Sequence, residues 1–524
     1  MEKVNYIDQQ MKSCWEKNKS LVYVCLAFTF LWGFVCHGYM FANNFFSHDS
    51  LNEFNADVFG NAWKIQLGRV LVPYYRKLTS TALTLPWLNG FLALFWLSIT
   101  VFFVVKIYHI EKKYLIFLIA GILTTNVTVI AMTATYIHEL DNNMFGVMLS
   151  VVAVYLWRKF KYGFCIGAIF VGASLGIYQS FISVTATLII ISSVLDLLLE
   201  KEFSTVLKNG INGVVMLLLG GGVYLLLIKV ICTITNVPLF SGNYNSVTNL
   251  TQGSVWDYLH YIPGTYKECF NRFFDYPSLF PDNLNYKCQI VILLIMAALI
   301  LCVLIKRSVG WKERILTAIL IAIMPLAMNT VYVLNKAETH DLMNYAFWLI
   351  YVFAVLVFYK LGYSKKVKIM LLSRVVPFLL VFVTLWGNVQ VSNMVYMKKN
   401  IEQEATLSLF TRIMYEIEQF EGFVPGQTKI VFVGEPEHLL TPMTGFEVSR
   451  KITGAKIDYM LGAASRDYYA AYFEYVLQYP DAIADQETWD RIMDSNEIYV
   501  INCYPEEKCM KLVGDVLLVK IGEN

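Results

Sequence analysis

Residues that could take part in proton transfer cluster in three short polar segments of an otherwise apolar chain. These segments are His48–Asp49, Tyr136–Asp141 and Lys336–Asp341. A carboxylate beside an imidazole can remove a proton from a hydroxyl group, and both groups can also hold a metal ion. Neither of the two longer segments has a spacing that specifies a metal site. The sequence therefore indicates acid or base chemistry. His138, Glu139, His340 and Asp341 together could hold a divalent metal ion, but their spacing does not specify one, and no other cofactor is indicated.

The stretch that follows Asp49 has the pattern of an amphipathic helix lying in the membrane interface. Its apolar stripe at helical spacing consists of Leu51, Phe54, Val58, Ala62 and Ile65. Ser50-x-x-Glu53 matches a capping box, so Asp49 fits the start of a helix as well as it fits a chemical role. Arg69 likewise fits an interfacial cation as well as a phosphate ligand.

The elements that must position these residues are predicted to be membrane helices. Of the 524 residues, 57% are hydrophobic and 16% are charged, whereas a soluble globular chain carries about 25% charged residues. This composition excludes a cytosolic enzyme and a disordered chain, and the net charge of +2 excludes a conventional nucleic-acid binder. The eleven predicted spans are residues 21–42, 87–105, 114–135, 144–157, 163–177, 180–199, 211–234, 289–305, 315–334, 342–359 and 375–396.

The distribution of Lys and Arg predicts a cytoplasmic N-terminus. Connections on the side of the N-terminus carry 21 Lys and Arg residues, whereas connections on the opposite side carry 8. The first span lacks a small-residue cleavage site and is therefore expected to be retained. The protein is predicted to lie in the cell membrane, with all three polar segments on its outer face.

Two features of the predicted outer face allow further predictions. Residues 163–199 are only long enough for two short crossings, so the tip between them, Tyr178-Gln179-Ser180, is expected to lie below the outer surface. Polar backbone at that depth needs a lining of protein or water, and we expect the tip to face a cavity. Asp141 is expected to cap the span that follows it.

The composition changes after residue 396. Residues 397–524 have a net charge of −9, whereas the preceding residues have +11. Helical periodicity at 401–420 and short apolar runs predict an α/β fold there. The predicted strands are residues 429–434, 497–503 and 515–521. The fold class is therefore an α-helical polytopic membrane protein, residues 1–396, followed by a small extracytoplasmic α/β domain, residues 397–524.

The positions of ionisable residues favour an enzyme over a transporter. A transporter needs such residues near the middle of the bilayer, along a central path. The predicted spans contain almost none, since Asp196 lies near a cytoplasmic end and Lys229 lies in the outer third of its span. Acids instead sit beside span ends on the outer face. This arrangement suits chemistry on a lipid-linked substrate whose polar head lies outside.

Four short motifs resemble those of one protein family. They are the acid after the first span, Gly68-Arg69, Pro86-Trp87-Leu88 and Gly176-Ile177-Tyr178-Gln179. They are similar to motifs of bacterial polytopic glucosyltransferases related to the serotype-converting O-antigen glucosyltransferases, within the GT-C superfamily. The resemblance covers the layout of most of residues 30–400, and it implies a GT-C-like fold for the membrane domain.

The resemblance also implies an enzyme that takes a sugar, expected to be glucose, from a polyprenyl-phosphate carrier on the outer face. The acceptor would be a surface polysaccharide, a teichoic acid or a lipid-linked glycan. Direct displacement needs a base for the acceptor hydroxyl group and a cation for the departing phosphate. We assign Asp49 as the base and Arg69 as the leading phosphate ligand. The further candidate cations are Lys229, Lys336 and His340.

Other candidate substrate ligands follow from the same resemblance. These are His48, Asp57, His138, Glu139, Tyr178 and Gln179, of which the last three are expected to orient the sugars. Family members often carry paired acids where this chain has His48-Asp49. This departure leaves open whether one carboxylate is enough or whether Asp57 or Glu139 supplies the second. They also often carry an arginine near the late outer loop, where the only nearby cations of this chain are Lys336 and His340.

Two other interpretations stay open. A flippase or transporter for a lipid-linked sugar would form no product with both substrates on one side in detergent. A non-catalytic scaffold would leave the surface glycan unchanged in Asp49→Asn but alter it when residues 397–524 are deleted. The transferase interpretation is the leading one because the predicted spans are nearly free of charge.

Overall fold

A bundle of helices is followed by a small α/β region. The computed structural model describes residues 2–47, 50–51, 61–79, 83–240, 255–275, 284–306, 310–336, 339–361, 367–440, 445–446, 449–456 and 466–523. The helices of the first half are α1 (Glu2–Ala42), α2 (Asn61–Gln66), α3 (Val72–Thr79), α4 (Pro86–Tyr108), α5 (Lys113–Thr124), α6 (Val127–Thr135), α7 (Ile137–Lys159), α8 (Gly163–Ile177), α9 (Ile182–Leu198) and α10 (Phe203–Thr235). The later helices are α11 (Val255–Leu259), α12 (Ile262–Phe270), α13 (Leu284–Lys306), α14 (Trp311–Met328), α15 (Thr330–Leu334), α16 (Leu349–Leu361), α17 (Val367–Gln419), α18 (Arg466–Tyr475) and α19 (Gln486–Met493).

Seven helical segments among the described residues are long and apolar enough to cross a membrane. They are Lys12–Ala42, Pro86–Tyr108, Ile137–Lys159, Gln179–Leu198, Phe203–Thr235, Leu284–Ile305 and Val375–Gln419. The bent pair of α5 and α6 would make an eighth span. The protein is therefore a multi-pass membrane protein, as the sequence predicts. The count of eleven spans stays a prediction, because α8 and Tyr345–Leu361 are shorter apolar helices.

Small residues allow two neighbouring helices of the bundle to approach closely. A Cβ atom added to Gly172 of α8 would lie 3.0 Å from the Gly220 carbonyl oxygen of α10 and 2.5 Å from a Val223 methyl group. One added to Gly220 would lie 2.5 Å from a Val171 methyl group. Transmembrane helices associate through such small-residue contacts. The contact places Tyr224 of α10 beside the tip that follows α8.

The predicted span 114–135 is broken in the structure. The axes of α5 and α6 differ by 44°, and the Asn126 side chain caps α6 by accepting the Val129 N–H group at 3.1 Å. The next helix, α7, already begins at Ile137. The polar segment that follows Tyr136 therefore forms the first turns of a helix and not a connecting loop. The expectation that Asp141 caps this helix is wrong, because Asp141 lies inside it.

Among the described residues of the C-terminal part, three short strands form one sheet. They are β1 (Lys429–Val433), β2 (Met510–Val513) and β3 (Val516–Lys520), in the order β1–β3–β2. The central strand β3 is parallel to β1 and antiparallel to β2. Two predicted strands are confirmed by β1 and β3.

The third predicted strand, residues 497–503, is wrong. A 3-10 turn, Asn496–Tyr499, occupies the first part of this run. Ile498 and Ile501 are buried, whereas Tyr499 and Val500 between them are exposed. Burial at a spacing of three residues fits a helical turn and not the alternation of a strand.

The long helix α17 passes through residue 396 without a break. We refer to residues 397–524 as the C-terminal α/β region. Its hydrophobic core contains Phe410 of α17 and Phe432 of β1, both almost completely buried. Leu51, which the sequence pattern placed on a membrane-interface stripe, is also completely buried in this core.

Candidate functional site

A buried carboxylate, Glu139, lies among cations at the start of α7. Its side chain is 4% exposed and forms ion pairs with Lys64 and Arg69. Both cations belong to the connection between α1 and α4, which contains α2 and α3 and which we refer to as loop 43–86. Arg69 Nη1 lies 3.4 Å from Glu139 Oε2, and His138 Nε2 lies 4.0 Å from Glu139 Oε1. These pairings offset the cost of removing the carboxylate from water. We refer to these four residues as the Glu139 cluster.

A tight turn brings the two loop cations to the same carboxylate. Gly68 has a φ angle of +75°, which residues with a side chain rarely adopt. After this turn, the Arg69 N–H group donates to the Lys64 carbonyl oxygen at 2.8 Å. The Arg69 guanidinium carbon lies 4.5 Å from the centre of the Tyr178 ring, a cation–π contact. The Arg69 side chain is 17% exposed and that of Lys64 is 8% exposed, so Arg69 is the more accessible of the two.

The tip between α8 and α9 packs against loop 43–86 and α10. Gln179 Nε2 donates to the Leu67 carbonyl oxygen and to the Tyr224 hydroxyl group, both at 2.8 Å. The Tyr224 hydroxyl group in turn donates to the Gly68 carbonyl oxygen at 3.1 Å. Protein groups therefore bind the amide of Gln179, which is only partly buried, and the cavity expected at the tip stays a prediction. The contacts also hold the turn that carries Arg69.

Asp141 has different partners from Glu139, because side chains two residues apart on a helix do not face the same way. It is completely buried and accepts a hydrogen bond from Asn89 Nδ2 at 3.0 Å, and the Tyr75 side chain lies close to the same carboxylate. Burial and the nearby Asp141 charge raise the pKa of Tyr75, so the phenol keeps its proton at neutral pH. These contacts tie α7 to α3 and α4, which is a structural role.

The third polar segment contains another buried acid. Asp341 accepts from Arg272 Nη1 at 3.4 Å, and Arg272 Nη2 also lies 3.4 Å from Glu268 Oε1. The same guanidinium group lies 5.2 Å from the centre of the Phe347 ring. The 3-10 turn that begins at Asp341 packs against α6, the helix that leads into α7. This second ion cluster therefore lies at the same end of the bundle as the Glu139 cluster.

The expectation that Lys336 and His340 are the only cations near this segment is wrong. Both residues are exposed, whereas Arg272 makes the contact with Asp341 from a distant part of the chain. Arg272 has a local partner in Glu268, four residues before it, but no local pattern predicts its contact with Asp341, which is 69 residues away. Among the described residues, no group of three or more His, Cys, Asp and Glu is arranged to hold a metal ion.

The structure joins some of the predicted site residues and separates others. The assembled ones are Arg69, His138, Glu139, Tyr178 and Gln179. Lys229 is exposed on α10 beside exposed Leu225 and Val230, and it does not belong to this assembly. His48, Asp49 and Asp57 lie outside the described residues. Lys64 and Tyr224, which belong to the same assembly, were not predicted from the sequence.

Residues on both sides of Asp49 in the sequence are well anchored. The Ser47 N–H group donates to Ser50 Oγ at 2.8 Å, and the Ser50 N–H group donates to Ser47 Oγ at 3.2 Å. This reciprocal pair is a capping box, three residues earlier than the one predicted at Ser50 and Glu53. Ser47 Oγ also donates to the Thr135 carbonyl oxygen at 2.6 Å. Thr135 ends α6 just before α7 begins, so the segment that carries Asp49 starts close to the Glu139 cluster in the fold.

These features define a multi-pass membrane protein with a polar site, rich in paired charges, at one end of its helical bundle. The chain belongs to the glucosyl transferase GtrII family, whose model matches residues 38–359. It is therefore a membrane glucosyltransferase, and the family resemblance seen in the sequence is confirmed. No curated protein and no solved structure matches the chain. The matched segment contains the whole Glu139 cluster and ends before α17.

Proposed function

We propose that the protein transfers glucose from a polyprenyl-phosphate carrier to a cell-surface glycan on the extracytoplasmic face of the cell membrane. The observation that carries this proposal is the Arg69 guanidinium group, partly accessible and held between Glu139 and the Tyr178 ring. Arginine binds phosphate through parallel N–H donors, and stacking fixes the plane of the group. The excess of Lys and Arg on the N-terminal side of the membrane supports the proposed orientation.

Asp49 is the proposed base. It takes the proton from the acceptor hydroxyl group, whose oxygen attacks the anomeric carbon of glucose. The bond from this carbon to the phosphate oxygen breaks, and its electron pair stays on the phosphate, where Arg69 stabilises the negative charge. One displacement of this kind inverts the anomeric configuration.

Glu139 has a different role in this proposal from the sugar contact expected from the sequence. At 4% exposure its carboxylate has little surface for a sugar, and both of its oxygens lie beside cations. Glu139 therefore holds Lys64 and Arg69 in place. Tyr178 supports the guanidinium plane, and Gln179 holds the turn before it.

The identity of the donor is the direct test of this function. Purified protein in detergent would be given an acceptor glycan and either polyprenyl-phosphate glucose or UDP-glucose. We expect a glucosylated product with inverted configuration from the lipid-linked donor and none from UDP-glucose. Transfer from UDP-glucose alone would contradict the proposal, and no transfer from either donor would favour the transporter interpretation.

Arg69→Lys is expected to weaken the use of the lipid donor. Lysine keeps the charge but loses the planar pair of donors, and a hydrogen bond to a charged group contributes about 1.5–3 kcal/mol. The expected result is a kcat/KM for the lipid donor that is lower by about 10-fold to 100-fold. Steady-state kinetics with the lipid donor varied would measure it.

Lys77→Met is the matched control for Arg69→Lys. Lys77 is an exposed cation of the same loop, on α3, and its loss is expected to leave kcat/KM unchanged. Equal kinetics in Arg69→Lys and wild type would remove Arg69 as the phosphate ligand and would direct attention to Arg272.

A further inference from the structure

One side chain of loop 43–86 is built into the core of the C-terminal α/β region. Leu51 is completely buried, and its neighbours in this hydrophobic cluster come from residues 409–521. Phe46 packs against the same cluster, and its N–H group donates to Gln403 Oε1 of α17 at 3.1 Å. The two ends of the short segment that contains Asp49 are therefore attached to a part of the chain that follows it by more than 350 residues.

A second contact joins the C-terminal α/β region to the end of α6. Gly454 has a φ angle of +92°, and a Cβ atom there would lie 2.9 Å from the Ala134 carbonyl carbon and even closer to Thr135 Oγ1. Lys399 of α17, which is almost completely buried, donates from Nζ to the Gly454 carbonyl oxygen at 3.3 Å. Thr135 is also the residue whose carbonyl oxygen accepts from Ser47. The region thus meets the bundle at the point where loop 43–86 is anchored.

These contacts cross the limit of the family match. The matched residues 38–359 include Phe46, Leu51 and Thr135. The groups that hold them, from Lys399 onwards, all lie beyond residue 359. The segment that matches the glucosyltransferase family, residues 38–359, therefore packs against a later segment that the family model does not cover.

We propose that the C-terminal α/β region is a positioning part of the catalytic centre. It fixes the segment around Asp49 through Leu51 and Phe46, and it fixes the end of α6 through Gly454. The proposal rests on the proposed function, because it takes Asp49 as the base. A base must lie within hydrogen-bond reach of the acceptor hydroxyl group, and a misplacement of 1 Å can lower a rate by about 100-fold.

Leu51→Ala in the full-length protein tests this proposal. Truncation leaves the segment around Asp49 without its apolar anchor, so we expect kcat to fall by about 10-fold to 100-fold with little change in the KM for the donor. We also expect faster hydrogen–deuterium exchange in peptides that cover residues 46–66. Leu51→Met, which keeps the apolar volume, is expected to restore both properties.

Ile498→Ala is the matched control. Ile498 is 2% exposed in the same hydrophobic core, but it belongs to the C-terminal α/β region itself. Its truncation creates a cavity in that core but leaves the side chains of Leu51 and Phe46 unchanged. We expect its kcat per folded molecule, and the exchange of residues 46–66, to match the wild type. Equal losses in Leu51→Ala and Ile498→Ala would overturn the positioning role, as would unchanged exchange in Leu51→Ala.

A parallel measurement of Asp49→Asn separates this proposal from the proposed function. Full activity in Asp49→Asn together with the expected losses in Leu51→Ala would remove Asp49 as the base and leave the C-terminal α/β region as the support of another group in the loop. Loss of activity in Asp49→Asn with wild-type kinetics in Leu51→Ala would keep the base and remove the positioning role.

Discussion

Glu139→Gln is expected to destabilise the folded protein by about 3–5 kcal/mol, because removal of one partner leaves buried charges without compensation. Lys64 and Arg69, with side chains 8% and 17% exposed, would remain in place without the carboxylate that both contact. The expected results are a lower thermal unfolding midpoint in detergent and a large loss of glucosyl transfer per folded molecule. Differential scanning fluorimetry and a transfer assay on the same preparation would measure both.

A double variant separates the stability effect from the functional effect. Replacing a buried ion pair by apolar residues of similar size is often neutral for stability, so Glu139→Leu combined with Lys64→Met is expected to recover much of the unfolding midpoint. Transfer is expected to stay low, because Arg69 would still lack the carboxylate that orients it. A wild-type midpoint and wild-type transfer in Glu139→Gln would show that the ion cluster does not support the site.

Asp49→Asn is expected to lower kcat by about 10²-fold to 10⁴-fold, the usual contribution of a general base. Asparagine has nearly the same shape and is as good a helix cap as aspartate. A role of Asp49 at a helix start would therefore survive the change, while the loss of a basic oxygen would not. The same variant expressed in cells is expected to lose the glucosyl substituent of the surface glycan, as in a deletion of the gene.

Asp57→Asn serves as the comparison for this prediction. The sequence leaves Asp57 as one source of a second carboxylate, and we expect its replacement to have a smaller effect than Asp49→Asn at matched expression. A larger loss in Asp57→Asn would move the base to Asp57. A glycan that keeps its glucosyl substituent in both variants would contradict a base in loop 43–86.

The helices and the family could be predicted from the sequence because both depend on properties of neighbouring residues. In lipid every backbone polar group must find its partner within the helix or a closed sheet, so a long apolar run predicts a helix without knowledge of its neighbours. The strands β1 and β3 were predicted for a similar reason, from short apolar runs. The prediction of a strand at 497–503 was wrong because the apolar residues there fit a helical turn equally well. The burial of Ile498 and Ile501, with exposed residues between them, shows that the turn is the correct alternative.

Only some residues of the candidate site could be predicted from the sequence. Arg69, Glu139 and the pair Tyr178-Gln179 attract notice as polar residues in apolar surroundings. Their partners do not, because Lys64 is 75 residues from Glu139 and Tyr224 is 45 residues from Gln179. Leu51 was assigned to a membrane-facing stripe because its spacing from the neighbouring apolar residues is helical. The local pattern does not show that its side chain packs in the core of a distant part of the chain.

By itself, the sequence determined that this chain is a multi-pass membrane protein of a glucosyltransferase family, with acids and cations grouped beside apolar segments. Hydropathy and short motifs are properties of neighbouring residues, so they can be read along the chain. The tertiary structure alone decided that Glu139 is buried among Lys64, Arg69 and His138, and that Leu51 belongs to the core of the C-terminal α/β region. Ion pairs and core contacts depend on which distant segments the packing of helices brings together, and no local pattern encodes that choice.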